Sequence, residues 1–360
     1  MAAWLRQQVE YDENVPCAAD LKISSVKMPP NSEKQESVQY EEDNVERIAP
    51  QAGPRTYKVS YRVVLVYVYW HIAGLYGAYL LPEAKWQTIV FTVATLWLSI
   101  LGVTAGAHRL WSHQSYKVNR PLEIFLMLCQ SMSCQNSAIH WVRDHRLHHK
   151  YTDTDADPHN SIRGFFYSHC GWLLVEKHPE VAKKSKTIDV SDIFNNPVLL
   201  FQQKYIKELT VLTAVALPTL IPMVCWGETF NCAWHLSYLR LIINLNLTFL
   251  INSANHAYGH KPYDKHITAT NNVYLSIMPT GETYHNYHHT FPLDYRTSEL
   301  GNTFANFTTI FIDICAKLGW AWDLKAVSED MLKKRMARTG DGTDLWGKKI
   351  DQGTQAPVSQ

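Results

Sequence analysis

No Cys-x-x-Cys pair occurs in this sequence. Its seven cysteines, at positions 17, 129, 134, 170, 225, 232 and 315, are scattered. An odd, unpatterned set excludes a disulfide framework and points to free thiols in a reducing compartment. Excess charge of either sign is missing as well. Thirty-four Lys and Arg against 33 Asp and Glu leave a formal net charge of +1. The basic stripe that nucleic acid requires is therefore absent, and no nucleic-acid partner is expected. Residues 1 to about 20 contain no continuous apolar run, so no cleavable signal peptide is expected.

What is present instead is apolar and aromatic material, with 12 Trp and 19 Tyr, a load that suits a membrane interface. Residues 1–57 are polar and read as a disordered tail. Residues 63–81 and 86–107 then carry no Lys, Arg, Asp or Glu, and each is long enough to cross about 30 Å of hydrocarbon. Residues 209–227 form a third such run, kinkable at Pro218 and Pro222, and 234–252 a fourth, weakened by Arg240. Arg240 would either snorkel to the interface or face the bundle interior. Residues 122–139 are apolar but interrupted by Gln130, Ser131, Ser133, Gln135 and Asn136, and read as an interfacial helix. The apolar stretch 304–318, broken by Asn306 and Asp313, is expected on the bilayer surface. The fold expected is all-α and membrane-integral: four transmembrane helices in two hairpins under a helical cap. The domain covers 58–347, and 348–360 form a flexible C-terminal tail.

Three histidine-rich boxes lie between these runs. His285-Asn286-Tyr287-His288-His289 places three imidazoles at i, i+3 and i+4, on one face of a helical turn. His145-Arg146-Leu147-His148-His149 repeats that spacing, and His108 with His113 adds a pair at i, i+5. A lone box could be an exposed polar turn, but the repetition makes a metal site the better reading. Only even numbers of crossings separate the boxes, so all three share one side. That side holds most of the Lys and Arg and is cytosolic by the positive-inside rule, together with both termini. Eight imidazoles exceed the four ligands of a mononuclear zinc site, so two metals fit better. Imidazole alone does not choose among zinc, copper, nickel and iron. His256 closes Asn252-Ser253-Ala254-Asn255-His256 at the end of the fourth run, with Asn252 at i, i+4 on the same face.

These residues resemble the membrane acyl-CoA desaturases of the stearoyl-CoA desaturase type, and in particular the insect group that includes moth pheromone-gland enzymes. The likeness is carried by Thr104-Ala105-Gly106-Ala107-His108-Arg109-Leu110-Trp111-Ser112-His113, Arg143-Asp144-His145-Arg146, Asp157-Pro158-His159-Asn160, Arg163-Gly164-Phe165-Phe166 and Arg338-Thr339-Gly340-Asp341-Gly342. The stretches 252–264 and 285–292 complete it, and the resemblance covers roughly residues 55–347. It implies a centre of two Fe2+ held by nine histidines, the eight above plus His256, with Asn252 reaching one iron through a water. It implies O2-dependent introduction of a double bond into a long-chain saturated or already monounsaturated fatty acyl-CoA, at Δ9 or Δ11, extending to sex-pheromone biosynthesis. Electrons would come from cytochrome b5 with its reductase; no His-Pro-Gly-Gly haem motif occurs here, so the donor is a separate protein. The endoplasmic reticulum is the implied location.

The resemblance also implies substrate contacts. Arg143, Asp144 and Lys177 match positions near the CoA moiety. Gln135, Trp141 and Thr248 match the acyl entrance, and Leu96 and Ile100 match the methyl end of the tunnel, where chain length is controlled. Five residues depart from the family's usual pattern: Thr283 for Gly, Gln114 for Arg or Lys, His140 for an acidic residue, Asn255 for Ala and Phe249 for Trp. None removes a ligand; together they leave the double-bond position open. Two other readings remain: a related diiron hydroxylase, acetylenase or conjugase, and a His-rich membrane metal transporter. The transporter would place its His and acidic residues within the spans.

Overall fold

The computed structural model describes residues 50–301 and 303–350, and nearly all its regular structure is helical. The sheet among these residues is two short strands, Lys117–Val118 (β1) and Ala321–Trp322 (β2), paired antiparallel. Helix α1 (Tyr61–Tyr79) turns through Leu81–Glu83 into α2 (Trp86–Leu101). The chain continues directly from α2 as a π-helix, Gly102–Ser112. Then come α3 (Arg120–Met132), α4 (Ala138–Tyr151), α5 (Ile206–Trp226) and the long α6 (Phe230–Ala257). The short α7 (His285–Thr290), α8 (Phe307–Lys317) and α9 (Glu329–Thr339) complete the cap.

Among the described residues, two helices are long and apolar enough to cross a membrane: α2 with its π extension, Trp86–Ser112, and α5. The expected runs 63–81 and 234–252 are present as α1 and α6 but fall short of that apolarity. Polar side chains explain the shortfall in α6, which includes Arg240, Asn244, Asn246 and Asn252. Arg240 faces the interior. It is 1% exposed and donates to Ser99 Oγ at 3.1 Å and to the carbonyls of Met132 and Ala214 at 3.2 and 2.8 Å. Helices α1 and α6 touch backbone to backbone. A Cβ at Gly77 would lie 2.2 Å from the His235 carbonyl oxygen, so only glycine allows this approach.

The interfacial helix expected over 122–139 is divided in two. Cys134 and Asn136 both adopt positive φ, at 58° and 68°, which ends α3 and lets the chain turn before Ser137 Oγ caps α4 by accepting from His140 N–H. The polar residues of α3 do not meet lipid. Gln130, Ser131 and Ser133 are fully buried, and Gln202 Nε2 donates to Gln130 Oε1 and Ser131 Oγ. Exposed on the other side are Ile124, Phe125 and Leu128. The surface helix expected over 304–318 appears as α8.

Of the stretch read as tail, 1–49 lies outside the described residues. Residues 50–57 differ from that reading, for they dock on the cap: Gln51 N–H donates to the Asp153 carbonyl, Gly53 N–H to Asp155, and Arg55 to Tyr167. At the other end, Ile350 N–H donates to the Gly342 carbonyl. The main core lies where α2, α3, α4 and α8 meet, around Leu101, Leu126, Ile139, Val142 and Ile312. It fixes the ends of the helices that bear histidine.

Candidate metal centre

The first box depends on the π-helix. In an α-helix, residues five apart point about 140° from one another. In a π-helix the i→i+5 hydrogen bond brings them over each other, and His113 N–H donates to the His108 carbonyl at 3.2 Å. His108 and His113 therefore face the same side. Helix α4 supplies His145, His148 and His149, α7 supplies His285, His288 and His289, and the last turn of α6 supplies His256.

All nine imidazoles converge, in two groups. One comprises His108, His113, His145, His149 and His288; the other comprises His148, His256, His285 and His289. Within each group the potential ligand atoms lie within 4.8 Å of one another. In the first, Nε2 of His288 is 2.9 Å from that of His108 and 3.0 Å from that of His149, and His113 and His145 approach to 2.8 Å. In the second, His289 Nε2 is 3.0 Å from that of His285 and 3.2 Å from that of His148.

A ring nitrogen carries at most one proton, so His288 Nε2, which faces both His108 and His149, and His289 Nε2, which faces both His148 and His285, cannot make both approaches as hydrogen bonds. His108, His148 and His256 each place Nδ1 against a carboxylate: Glu282 at 2.8 Å, Asp157 at 2.8 Å and Asp153 at 2.9 Å. In neutral imidazole Nδ1 is then the donor, and Nε2 keeps a lone pair. Nitrogens bound to one ion at about 2.0–2.1 Å stand about 2.8–3.4 Å apart, from the octahedral to the tetrahedral edge. The observed spacings match the edges of such a polyhedron. The buried Nε2 of His256 has no hydrogen-bond partner, as expected of a ligand atom. The donor set therefore fits metal, and imidazole nitrogens backed by carboxylates are the usual support for it.

Electrostatics favour the same state. Burial first, and then the neighbouring imidazoles, hold His113, His145, His149, His285, His288 and His289 well below the usual histidine range. They are thus neutral and able to bind metal. At His148 burial acts downward too, but Asp157 outweighs it and the value is raised. Burial would raise Glu282; His108 and Arg109 instead hold it at about 2. Glu282, Asp153 and Asp157 were not singled out as site residues from the sequence. A signal existed, since each lies within a few residues of a box.

Two cavities meet above the histidines. The first has a cavity volume of about 80 Å³ and is lined by Ile100, Val103, Leu247 and Ile251, together with His108 and His285. The second, also about 80 Å³, includes His140, Asp144, Phe249 and Trp172. Trp141, His145, Thr248 and Asn252 line both. Between them Trp141 Nε1 donates to Gln135 Oε1 at 3.2 Å, and Gln135 Nε2 donates to Thr248 Oγ1 at 2.9 Å. Ile100 thus reaches the first cavity, whereas Leu96, one turn away on α2, is not among the residues that line it.

The residues matched to CoA lie beside the second cavity. Lys177 Nζ is 2.5 Å from Asp144 Oδ2, His140 Nε2 is 3.2 Å from the same oxygen, and Arg143 donates to His140 Nδ1 at 3.1 Å. Among the five departures, Asn255 and Thr283 are neighbours: Asn255 Nδ2 donates to the Glu282 carbonyl at 3.4 Å, and Thr283 Oγ1 is buried without a partner. Gln114 donates to Asp192, and Phe249 packs edge-on against His169.

Comparison with known proteins gives concordant results. The fatty acid desaturase family model matches residues 84–311. An acyl-CoA Delta(11) desaturase of Trichoplusia ni is 58% identical over 303 residues, covering 83% of this chain and 87% of the relative. One from Choristoneura rosaceana is 56% identical over 325 residues, covering 89% and 97%. A (11Z)-hexadec-11-enoyl-CoA conjugase of Bombyx mori is 53% identical over 322 residues, covering 88% and 98%.

Proposed function

The chain belongs to the fatty acid desaturase family and is an oxidoreductase, an acyl-CoA desaturase, and from that premise we propose that it places a double bond at the eleventh carbon of a long-chain fatty acyl-CoA. One observation carries the reaction class: nine imidazoles gather in two groups, and four of them, His108, His145, His148 and His285, line an apolar cavity. The choice of carbon rests on the two Delta(11) relatives. The conjugase is the second reading, because a relative of that name is nearly as similar.

The two groups would hold two Fe2+ ions, through His108, His113, His145, His149 and His288 on one side and His148, His256, His285 and His289 on the other. Asn252, at the wall of both cavities, would assist the second group through a water. Iron in these groups supplies, when bound, the dioxygen chemistry that takes hydrogen from an unactivated methylene, which no side chain can do. Glu282, Asp153 and Asp157 hold the protons on Nδ1 and fix the rings. Ile100, Val103, Leu247 and Ile251 exclude water along the alkyl chain, with Ile100 setting its length. Gln135, Trp141 and Thr248 hold the acyl chain where the cavities meet. Arg143, Asp144 and Lys177 receive the CoA. Reduction of O2 to water takes four electrons, of which the two C–H bonds supply two; cytochrome b5, with its reductase, supplies the rest.

In this reading the protein crosses the endoplasmic reticulum membrane four times, along α1, α2, α5 and α6, with both termini cytosolic. The placement of all nine histidines in one cap supports it. The test is expression in a yeast lacking its own desaturase, followed by analysis of fatty-acid methyl esters. A Δ11 monoene is expected. A Δ9 product would overturn the position, a conjugated diene would favour the second reading, and no unsaturated product would sink the assignment.

A further inference from the structure

Some of the most exposed large apolar side chains lie outside the long helices. Tyr274 and Ile277, in the turn Val273–Ile277, are 92% and 85% exposed, and Phe304 is 96% exposed. Two interactions join their loops: Thr280 forms an antiparallel bridge with Asn306, and Phe307 N–H donates to the Pro279 carbonyl at 2.7 Å. Helix α8, which starts here, is apolar on both sides, with Ile312 and Cys315 buried in the core. Phe307, Ile314 and Leu318 are exposed on its outer stripe. Its polar Thr308 and Thr309 are fully buried, against Thr104 Oγ1 at 2.9 Å and Arg109 Nη1 at 2.9 Å. A water-facing helix carries polar side chains on its outer stripe instead.

Depth decides what covers this surface. Trp86–Ser112 is apolar enough to span a bilayer, and His108 near its far end belongs to the metal groups. At 1.5 Å per residue, Thr104 lies about 27 Å and Trp97 about 16 Å above Trp86, within a hydrocarbon core about 30 Å thick. Thr308 bonds Thr104, and the Phe307 ring lies 5.0 Å from that of Trp97. The start of α8 therefore lies below the surface of the leaflet. Patches of this kind mark membrane contacts when they are continuous with a span.

We propose that residues 273–278 and 303–307, with the outer stripe of α8, form a lip inserted into the hydrocarbon of the leaflet nearest the histidines. The occupant of the patch is lipid. Met278 and Thr280, on the same loop, line the first cavity, so the lip is also a wall between that cavity and the bilayer. The inference rests on the reading that α2 crosses the membrane with its histidine end cytosolic.

The test uses full-length protein in phosphatidylcholine vesicles, with a single NBD fluorophore on Ile277→Cys, Phe304→Cys or, as control, Lys333→Cys, in a Cys17→Ser, Cys225→Ser background. Lys333 is 75% exposed on α9. Quenching of the first two probes by doxyl-labelled phosphatidylcholine, at least fivefold above that of the control, is expected, with aqueous iodide quenching only the control. Iodide quenching of all three alike would overturn the lip. Desaturation of an added acyl-CoA by each labelled protein is measured in parallel. An active variant quenched by iodide at 277 defeats the lip alone; lipid quenching with no product from the wild type supports the lip and defeats the enzyme assignment.

Discussion

The five-imidazole and four-imidazole groups share the second and third boxes, the first group adding His108 and His113 and the second His256, but they are supported differently. The first has one carboxylate behind it, Glu282 on His108, and that carboxylate is itself held by Arg109. The second has two, Asp157 on His148 and Asp153 on His256, neither with an arginine. A site rich in protein ligands needs little added charge. A site with fewer imidazoles gains basicity from anions behind them and leaves room for an added ligand, beside Asn252 and the cavity wall. The difference suggests a division of labour between a saturated position and an open one.

Removing a ligand shared by neither support should have the largest effect. His288→Ala is expected to bring product in the desaturase-deficient yeast below detection while the protein stays in membranes; undiminished product would break the first group. Next in size is Arg109→Ala. Arg109 is 0% exposed and donates to Glu282, to the Tyr295 and Thr280 carbonyls and to Thr309. Its loss leaves Glu282 buried with only the His108 N–H against it, at about 3–5 kcal/mol. A fall in melting temperature is expected, larger than for Asp153→Ala, because Asp153 has no arginine to orphan.

A finer distinction comes from Asp153→Asn against Glu282→Gln. Loss of a carboxylate behind a metal-bound imidazole costs about 10–100-fold in metal affinity or activity. Asp153→Asn should lower metal content towards one ion per chain, by loss from the four-imidazole group. Equal retention of both ions would remove the asymmetry. The smallest effect lies away from both groups, at a carboxyl with the opposite surroundings. Burial, and then Asp344, push Glu299 up to about 7. Its folded value exceeds its unfolded one, so it takes stability away as pH rises from about 4.5 to about 7. Glu299→Gln should raise the melting temperature slightly at pH 7.5 and leave it unchanged near pH 4.

The histidines were legible in the sequence because their spacing is local. An i, i+3, i+4 set needs only one helical turn to converge, and the pairing of boxes follows from repetition. The carboxylates lie beside the boxes, but which imidazole each meets was less legible, because Asp153 and His256 meet across 103 residues that no periodicity links. Two long helices were likewise legible by their uninterrupted apolar runs. Helix α6 was harder to judge, since Arg240 and Asn244 spend their polarity inside the bundle, on Ser99, Ala214 and Ser133. Break points such as Cys134 and Asn136 carry no glycine or proline to announce them, so one expected helix became two. Leu96 and Ile100 share a face of α2, yet only Ile100 reaches the cavity; that depends on how the helix curves against its neighbours, which spacing does not reveal.

The π-helix at Gly102–Ser112 has a further consequence for how this chain tolerates change. His108 and His113 coincide only because the ring between them is one residue wider than in an α-helix. The interval is a count, and a count cannot be altered by degrees. Substitutions between the two positions leave it intact, whereas deleting a single residue there returns the segment to ordinary winding and swings one imidazole away. In this stretch, length is inherited more strictly than composition.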